Sequence, residues 1–457
     1  MLPAITKEIL LKYDTPGPRY TSYPTVPEWL NEVPPVVYKT KLNAFGQSPK
    51  TLSLYIHLPF CESLCSFCGC NVAIRKKEEK YGNEYLDFIF QEMDLISASM
   101  RVKKCVRQLH WGGGTPTFLN EDQLERLFKK IQNSFDIDFN AEIAIEIDPR
   151  TIDRSKLKKL RGLGFNRISL GVQDFDPQVQ KAVNRIQPFE LVEHCSLLCR
   201  ELKFQSMNFD LIYGLPDQTR KSFQPTIEKV MQLRPDRIAL YSFAYVPWLK
   251  KHQNKLIADD LPTSDEKLEI FLQSRQQLLQ NGYRAIAMDH FALETDEMAQ
   301  AFNEGTLYRN FMGYTIKPAD EYVGLGVSSI GFLENTYVQN HKTIPQYYAS
   351  LKQNELPVER GKILSLDDQI RRWVINHLMC RFEIDKNDFR RSFQQEFDSY
   401  FQKEQDHLIQ CVEDELIFLS SDGIKVTELG KIFIRNVCMG FDWYLRQSQG
   451  QRFSRTV

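Results

Sequence analysis

The chain of 457 residues is 42% hydrophobic and 26% charged, a balance that suits an ordinary soluble globular protein with a main domain and a smaller one, each with its own core. Its 58 Lys and Arg residues against 59 acids leave a formal net charge of -1, so the overall charge does not point to nucleic acid, and any basic patch has to be local. Charges at Lys7, Glu8, Lys12 and Asp14 interrupt the apolar core that a signal peptide needs, and no apolar window of spanning length occurs, so a cytoplasmic, unanchored chain is expected, monomeric by default.

Residues 1–50 form an N-terminal arm in which GPRYTSYPT (17–25) sets two tyrosines beside two prolines and reads as stiff and non-helical. Across 51–330, short β-rich runs alternate with amphipathic helical ones. TLSLYIHLPF precedes EKYGNEYLDFIFQEMDLI, VRQLHWGGG precedes EDQLERLFKKIQNSF, and AEIAIEIDP precedes SKLKKLRGLG. NRISLGVQ with FELVEHCSLLCREL, MNFDLIYGLP with SFQPTIEKVMQL, and RIALYSFAY with a helix near 264–281 complete six units. The pattern predicts an α/β fold, a parallel sheet covered by helices and closed into a full or partial barrel. Right-handed crossovers bring the strand-end loops to one face. That face collects Cys61 after the first strand, GGGTP after the second, Glu146 and Asp148 at the end of the third, Gln173 on the fourth and Asp210 in the fifth.

Past residue 331 the rhythm breaks. Residues 331–362 read as a connecting region and 363–457 as a mainly helical domain, with LDDQIRRWVINHLMCRF and FRRSFQQEFDSYFQKEQDHLIQCVED as helices. LIFLSSDGIKVT reads as a hairpin around Asp422 and Gly423. Helices followed by a hairpin are winged-helix-like, and the mixed charges here favour a lid or packing role over DNA binding.

CESLCSFCGC, residues 61–70, places four thiols within one loop. In a reducing compartment such clustering points to metal or redox chemistry rather than disulfides. A structural zinc site would draw on two separated C-x-x-C pairs. Cys61, Cys65 and Cys68 instead come in one run directly after a strand, which favours three corners of a cubane iron–sulfur cluster with one iron open, while zinc and unligated thiols stay as alternatives. Cys70 could supply a fourth ligand only by folding back on Cys68.

CESLCSFC resembles the signature of the radical S-adenosylmethionine enzymes, and GGGTP (112–116) resembles their methionine-binding glycine motif. GPRYTSYPT, SLYIHLPFC, FCGCN, QLHWGGGTPT, EIDPR, GVQDF, NFDLIYGLP, MDHFA, GLGVSSI and QRFSR together resemble the oxygen-independent coproporphyrinogen III oxidase (dehydrogenase) family, from residue 10 to the C-terminus. The resemblance implies a partial (β/α)6-type barrel holding one 4Fe-4S cluster on Cys61, Cys65 and Cys68, with two molecules of S-adenosylmethionine side by side. It implies contacts to the first from Tyr55, Gly113 and Glu146, and to the second from Phe67, Gly114, Thr115, Gln173, Arg185, Asp210, Ala244 and Ile330. Core packing is the alternative for Tyr55, Phe67 and Ile330, and a surface position for Arg185.

The implied substrate is a tetrapyrrole with four propionates, two of which become vinyl groups, with an electron donor and acceptor that the sequence does not identify. Arginine matches carboxylates bidentately, which makes Arg19 the candidate reader of a propionate. Cys70 resembles the family's fourth, non-ligating cysteine, open to a transfer or a packing role. Two departures stand out: the family's NREQ is NRIQ here, with Ile186 in place of an acid, and its GYTT is GYTI, with Ile316 in place of a threonine. A haem carrier on the same scaffold is the alternative reading, and GPRYTSYPT together with Cys70 favours the enzyme. Cys195 and Cys199, in a helical run without a third thiol, read as buried apolar cysteines. His57, His110 and His290 sit where they could line the mouth or serve the scaffold.

Overall fold

The computed structural model describes residues 5, 7–30, 33–447 and 453–456; Gln451 and Arg452 of the QRFSR motif lie outside them. Six strands run in consecutive order: β1 (Leu52–Leu58), β2 (Cys105–Gly113), β3 (Asp136–Ile147), β4 (Arg167–Gln173), β5 (Ser206–Tyr213) and β6 (Arg237–Ser242). All five junctions between them are parallel, so each needs a crossover. The crossovers carry α1 (Glu79–Met100), α2 (Glu121–Ser134), α3 (Arg154–Leu163), α4 (Phe189–Glu201) and α5 (Arg220–Leu233), and α6 (Ser264–Gln280) follows β6.

Local chemistry sets the helix ends. Asn120, Thr219 and Thr263 each accept from a third-residue N–H while that residue's side chain accepts from the cap, so two orphan donors are satisfied reciprocally at α2, α5 and α6. On β1, Leu52, Leu54, Ile56 and Leu58 are buried on one face and Ser53 and His57 on the other, as a strand covered on both faces requires.

The sheet extends beyond the six units on both sides. Next to β6 lie the antiparallel strands β7 (Tyr283–Ala287) and β8 (His290–Leu293), in the order β6-β8-β7. On the other side, β9 (Glu321–Leu325) pairs in parallel with β1, followed by antiparallel β10 (Ile330–Leu333), β11 (Thr336–Asn340) and β12 (Val358–Ile363). The strands form one open sheet with β12 and β7 at its edges, a partial barrel. The segment 331–362, read from sequence as a connecting region, is therefore sheet. Its strands pair antiparallel, a tight turn joining β10 to β11 and a helix, Ile344–Lys352, bridging β11 to β12, so the parallel βα rhythm is lost there.

The C-terminal region is built on α7 (Leu366–Arg381), capped by Ser365 with Asp368. The expected hairpin is present, Ile417–Leu419 against Gly423–Val426, and Glu383–Asp385 pairs with its second strand. The stretch 389–414, expected as one helix, is broken into Lys386–Phe393, Phe397–Tyr400 and Gln405–Glu413, with Gln394 left-handed at φ 56. Phe389, Phe393, Phe397 and Phe401 recur every fourth residue, the signature of a helix stripe. On a straight helix the outer two would stand about 18 Å apart; here their ring centroids are 5.8 Å apart, because the chain turns back and gathers the rings into a cluster.

The arm is not a solvated extension. Tyr13, Tyr20 and Tyr23 are buried in the same core as α7 and the C-terminal helices. Tyr20 donates to Asp442 at 3.1 Å, and the buried guanidinium of Arg435 takes the carbonyls of Gly17 and Pro18. Among the described residues no helix is long and apolar enough to cross a membrane.

Phe389 is fully buried at the centre of the aromatic cluster. Phe389→Ala is expected to cost about 3–5 kcal/mol of C-terminal stability, seen as an earlier urea transition for this region in denaturation followed by hydrogen exchange.

Candidate active site

The cysteine loop begins where β1 ends. Phe60–Cys61 pairs in parallel with Ala73–Ile74, so the ends of the loop are stitched together. Ala73 N–H donates to Pro59 O at 2.8 Å and Arg75 N–H to Cys61 O at 2.9 Å. His57 Nε2 lies 2.9 Å from Asn71 O, which can only accept, so that nitrogen carries the proton and Nδ1 accepts from Tyr55 Oη at 3.1 Å. From the far side of the loop, Ser66 N–H donates to Val183 O at 2.9 Å and Asn184 to Leu64 O at 2.9 Å.

The glycine turn fits against this loop. Gly114 N–H donates to Leu58 O and Thr115 N–H to Phe60 O, both at 2.9 Å. Gly113 has φ +117, and a Cβ there would stand 2.6 Å from the His57 ring; one on Gly114 would stand 2.6 Å from the Pro59 carbonyl. The glycines are thus needed by the protein's own packing as well as by any ligand, since no side chain fits between the two loops.

Between the strand ends lies a cavity of about 510 Å³. The structure brings together on its walls Cys61, Cys65, Cys68, Cys70, Phe67, Gly113, Gly114, Thr115, Glu146, Gln173, Arg185 and Asp210 of the residues read from sequence. Tyr55 does not line it but stacks on His110 with centroids 5.9 Å apart. Ala244 lies on the loop after β6, where its carbonyl accepts from Gln253 at 3.1 Å. Ile330 packs with Trp29, Tyr322 and Tyr337 in a separate apolar cluster. Arg19 also lies outside the cavity: it pairs with Asp289 at 2.7 Å and donates to Ser242 O at 3.0 Å. His290 Nδ1 donates to Asp289 at 2.7 Å, and Cys195 and Cys199 are buried in the main core. Ile186 is 58% exposed between inward-facing Arg185 and Gln187, so the missing acid concerns a solvent-facing position. Ile316 packs against the C-terminal core.

Among the wall residues that the sequence reading gave no role are Asp148, placed there only on the strand-end face, Arg150 and Tyr241. Asp148 takes Arg150 at 2.6 Å and Arg185 at 3.1 Å, and Arg185 Nη1 in turn lies 3.7 Å from Cys65 Sγ. The signal was available in EIDPR, where an aspartate before proline, followed by arginine, caps a short helical turn. Tyr241 gave no such signal, being one aromatic in an apolar strand.

Glu146 accepts from Gly113 N–H at 3.0 Å and faces His110 Nε2 at 3.1 Å. Burial acts to raise its carboxyl, but His110, the Gly113 N–H and His57 together outweigh it and hold the group below its ordinary value. Asp210, which accepts from Ser169 and Asn208, is pushed up to about 6 by burial and by the nearby Glu146 charge. Burial raises the Cys61 thiol to about 11 despite the Thr115 hydroxyl 3.3 Å away. The Cys70 thiol beside it pulls Cys68 below its ordinary value.

The donor set fits an iron–sulfur cluster. Three thiols from one loop line one cavity beside two guanidiniums that favour thiolate, and among the described residues no three His, Cys, Asp or Glu side chains converge on one point as a single ion demands. A second ligand fits as well. Gln173 Oε1 and Arg185 Nε are buried on the cavity wall without hydrogen-bond partners, an acceptor and a donor left over by the protein.

The raised Asp210 carboxyl has a consequence for stability. Because its folded value lies above the ordinary 3.8, the folded state binds more protons than the unfolded one between about 4 and 6, and stability falls as pH rises through that window. Asp210→Asn removes this contribution, so the variant is expected to gain on the parent in urea denaturation from pH 4 to 6 and to hold a constant lead above it.

Comparison with known proteins agrees with this geometry. The radical SAM superfamily model matches residues 55–230, and the HemN C-terminal domain model matches residues 364–433. The oxygen-independent coproporphyrinogen III oxidase of Synechocystis is 44% identical, over 98% of this chain and 97% of its own length. That of Escherichia coli K12 is 42% identical over 98% of both, and that of Helicobacter pylori J99 is 40% identical over the whole of both. The solved structure of coproporphyrinogen III oxidase (HemN) from Escherichia coli, described as a radical SAM enzyme, superposes with a TM-score of 0.89 at 41% identity, covering 93% of this chain and 98% of that one. With fold, thiol loop and full-length similarity in agreement, the chain belongs to the oxygen-independent coproporphyrinogen III oxidases, within the radical S-adenosylmethionine superfamily.

Proposed function

We propose that the cavity above β1–β6 is where this chain carries out the family's reaction, the oxygen-independent oxidative decarboxylation of two propionates of coproporphyrinogen III to vinyl groups, giving protoporphyrinogen IX for haem biosynthesis. The chain is an oxidoreductase whose cofactors are a 4Fe-4S cluster and S-adenosylmethionine. When bound, the reduced cluster and S-adenosylmethionine supply a 5′-deoxyadenosyl radical, the agent that removes hydrogen from the substrate. The observation that carries the reading is the meeting of three thiols, the glycine turn and Glu146 on one cavity.

In this reading Cys61, Cys65 and Cys68 hold the cluster, and Arg185 and Arg150 offset the negative charge of the thiolates from the side of Cys65. Gly113 and Glu146 serve the first S-adenosylmethionine, the ionised carboxylate accepting from its ribose hydroxyls, while Tyr55 acts through His57, which clamps the exit of the cysteine loop. Phe67, Gly114, Thr115, Gln173, Arg185 and Asp210 surround room for a second molecule, to which Gln173 Oε1 offers a free acceptor. Ala244 and Ile330 support the neighbouring walls. Cys70 lines the cavity next to Cys68, placed to touch what binds there.

Arg19 is committed to Asp289 and Ser242, so its part is to fasten the arm; reading a propionate would require that pair to open. Residues 51–330, extended by the strands up to Ile363, form the chemical unit; residues 1–50 and 363–457 close over it.

Incubation of anaerobically reconstituted protein with coproporphyrinogen III, reductant and S-adenosylmethionine is expected to give protoporphyrinogen IX and 5′-deoxyadenosine. Serine at position 61, 65 or 68 is expected to lower the iron content and bring both products to background. A haem carrier would form neither product, and retention of activity by the serine variants would remove the proposal.

A further inference from the structure

The loop between β6 and α6 packs on the cysteine loop from outside. Lys250 Nζ donates to Cys70 O at 3.0 Å, and His252 Nε2 lies 2.9 Å from Cys68 O, which makes that nitrogen the donor. On its outer side the same loop leaves Trp248, Leu249 and Ile257 exposed by 50%, 68% and 64%. A cluster of large apolar side chains left in water marks an interaction site when it is rimmed by polar groups.

The rim here is basic. Lys251 and Lys255 are exposed on this loop, and Arg75, Lys76 and Lys77 are exposed where the cysteine loop ends, Arg75 N–H donating to Cys61 O. Glu62 on the cysteine loop, Glu78 and Glu79 directly after Lys77, and Asp259 and Asp260 beyond Ile257 are the exposed acids of the same segments. In a chain of net charge -1, an apolar outcrop with Lys250, Lys251, His252 and Lys255 on its own loop is a local feature that the average does not predict. That basic run is hydrogen-bonded through Lys250 and His252 to the backbone of Cys70 and Cys68.

We propose that this face is the docking surface for a small acidic electron-carrier protein that reduces the cluster. The inference rests on the reading of the cavity given above. The step is a single-electron transfer: the carrier loses one electron, the cluster gains one, and no atom or proton changes place. Positive potential around the site steers an acidic partner and sets its orientation, while Trp248 and Leu249 give the contact an apolar centre. A weak, salt-sensitive complex suits a carrier that must leave after each delivery. His252 provides a hydrogen-bonded route from this surface, through the Cys68 carbonyl, to a thiol-bearing residue.

A bacterial flavodoxin in its fully reduced form serves as the probe. Bleaching of the cluster absorbance is followed by stopped flow in the holoenzyme, per cluster, with flavodoxin and separately with dithionite as reductant, and binding of oxidised flavodoxin is titrated against salt. Lys251→Glu with Lys255→Glu, and separately Trp248→Ser with Leu249→Ser, are expected to slow reduction by flavodoxin about tenfold or more while the dithionite rate stays unchanged. The lysine pair should also flatten the salt dependence of binding, and Lys425→Glu, in the C-terminal hairpin, should change neither rate. Equal flavodoxin rates in parent and loop variants overturn the proposal, as does a self-association of the parent that the variants abolish without slowing flavodoxin, since the face would then join two copies of the chain. Parent protein that forms no reducible cluster with dithionite fails the reading of the cavity instead, so the two failures are told apart.

Discussion

The contact on which the site depends is that between two backbones, the cysteine loop and the glycine turn. Gly114 and Thr115 donate to the carbonyls of Leu58 and Phe60, which is possible only because no Cβ projects from the turn into the Pro59 carbonyl or the His57 ring. Once that contact forms, Cys61 is fixed beside Thr115, and the Gly113 N–H points at Glu146. Three glycines in sequence therefore decide the relation between a row of thiols and a carboxylate that stands on a different strand. The same contact explains why His57 is buried. Its ring occupies the volume that a side chain at 113 would need and passes that position on to the end of the loop through Asn71.

The carboxylates around the cavity are differentiated by their partners rather than by depth. Glu146 and Asp210 both feel burial, yet Glu146 has an imidazole and a backbone N–H bonded to it, whereas Asp210 has two neutral donors and a smaller pull from His290 against the repulsion of Glu146. One is held ionised and the other is brought toward the protonated form, so the cavity carries less negative charge than its acids would suggest. Asp148 is different again. Burial opposes its charge, but Arg185 and Arg150 overcome it, and this triad presses two cations toward Cys65. The arrangement suits thiolates that must share a cluster with a bound cationic sulfonium, since it limits how negative the site becomes.

The six βα units were legible in the sequence because each strand carries a short β-rich apolar run and each helix has a polar face, so two periods alternate without overlap. Asp148 was placed on the strand-end face without a role and Arg150, in the same quoted motif, was passed over, because a capping aspartate and its arginine look like a turn until Arg185 arrives from another loop. Ile330 and Ala244 were named by motif position alone, and their side chains lie in a neighbouring cluster or off the cavity wall. The edge strands β10–β12 were missed since Ile330–Leu333 and Thr336–Asn340 are too short and too uniformly buried to alternate. The broken helix after Lys386 was missed for a stronger reason. Four phenylalanines at helical spacing satisfy a stripe and a compact cluster equally well, and only the tertiary partners Trp373 and Phe441 decide between them.

The arm shows how the outer parts of the chain reach the site. Arg435, from the C-terminal region, binds the carbonyls of Gly17 and Pro18, and Arg309 binds those of Arg19 and Tyr20 at 2.6 and 2.9 Å. Held from both sides, Arg19 is presented to Asp289, whose other oxygen is taken by His290. The cation sits 5.6 Å from the ring of Tyr241, and Tyr241 is itself a wall of the cavity. Burial would raise Asp289, but His290, Arg19 and Arg309 bring it down to about 2, so the pair stays charged across the neutral range and the arm is fastened by an ionic contact that ordinary pH changes do not release. The wall of the cavity opposite the cysteine loop is thus supported by residues from the first twenty and the last quarter of the chain. This accounts for why similarity to the family extends over the full length, when the cluster and its nucleoside sulfonium ligand need only the barrel.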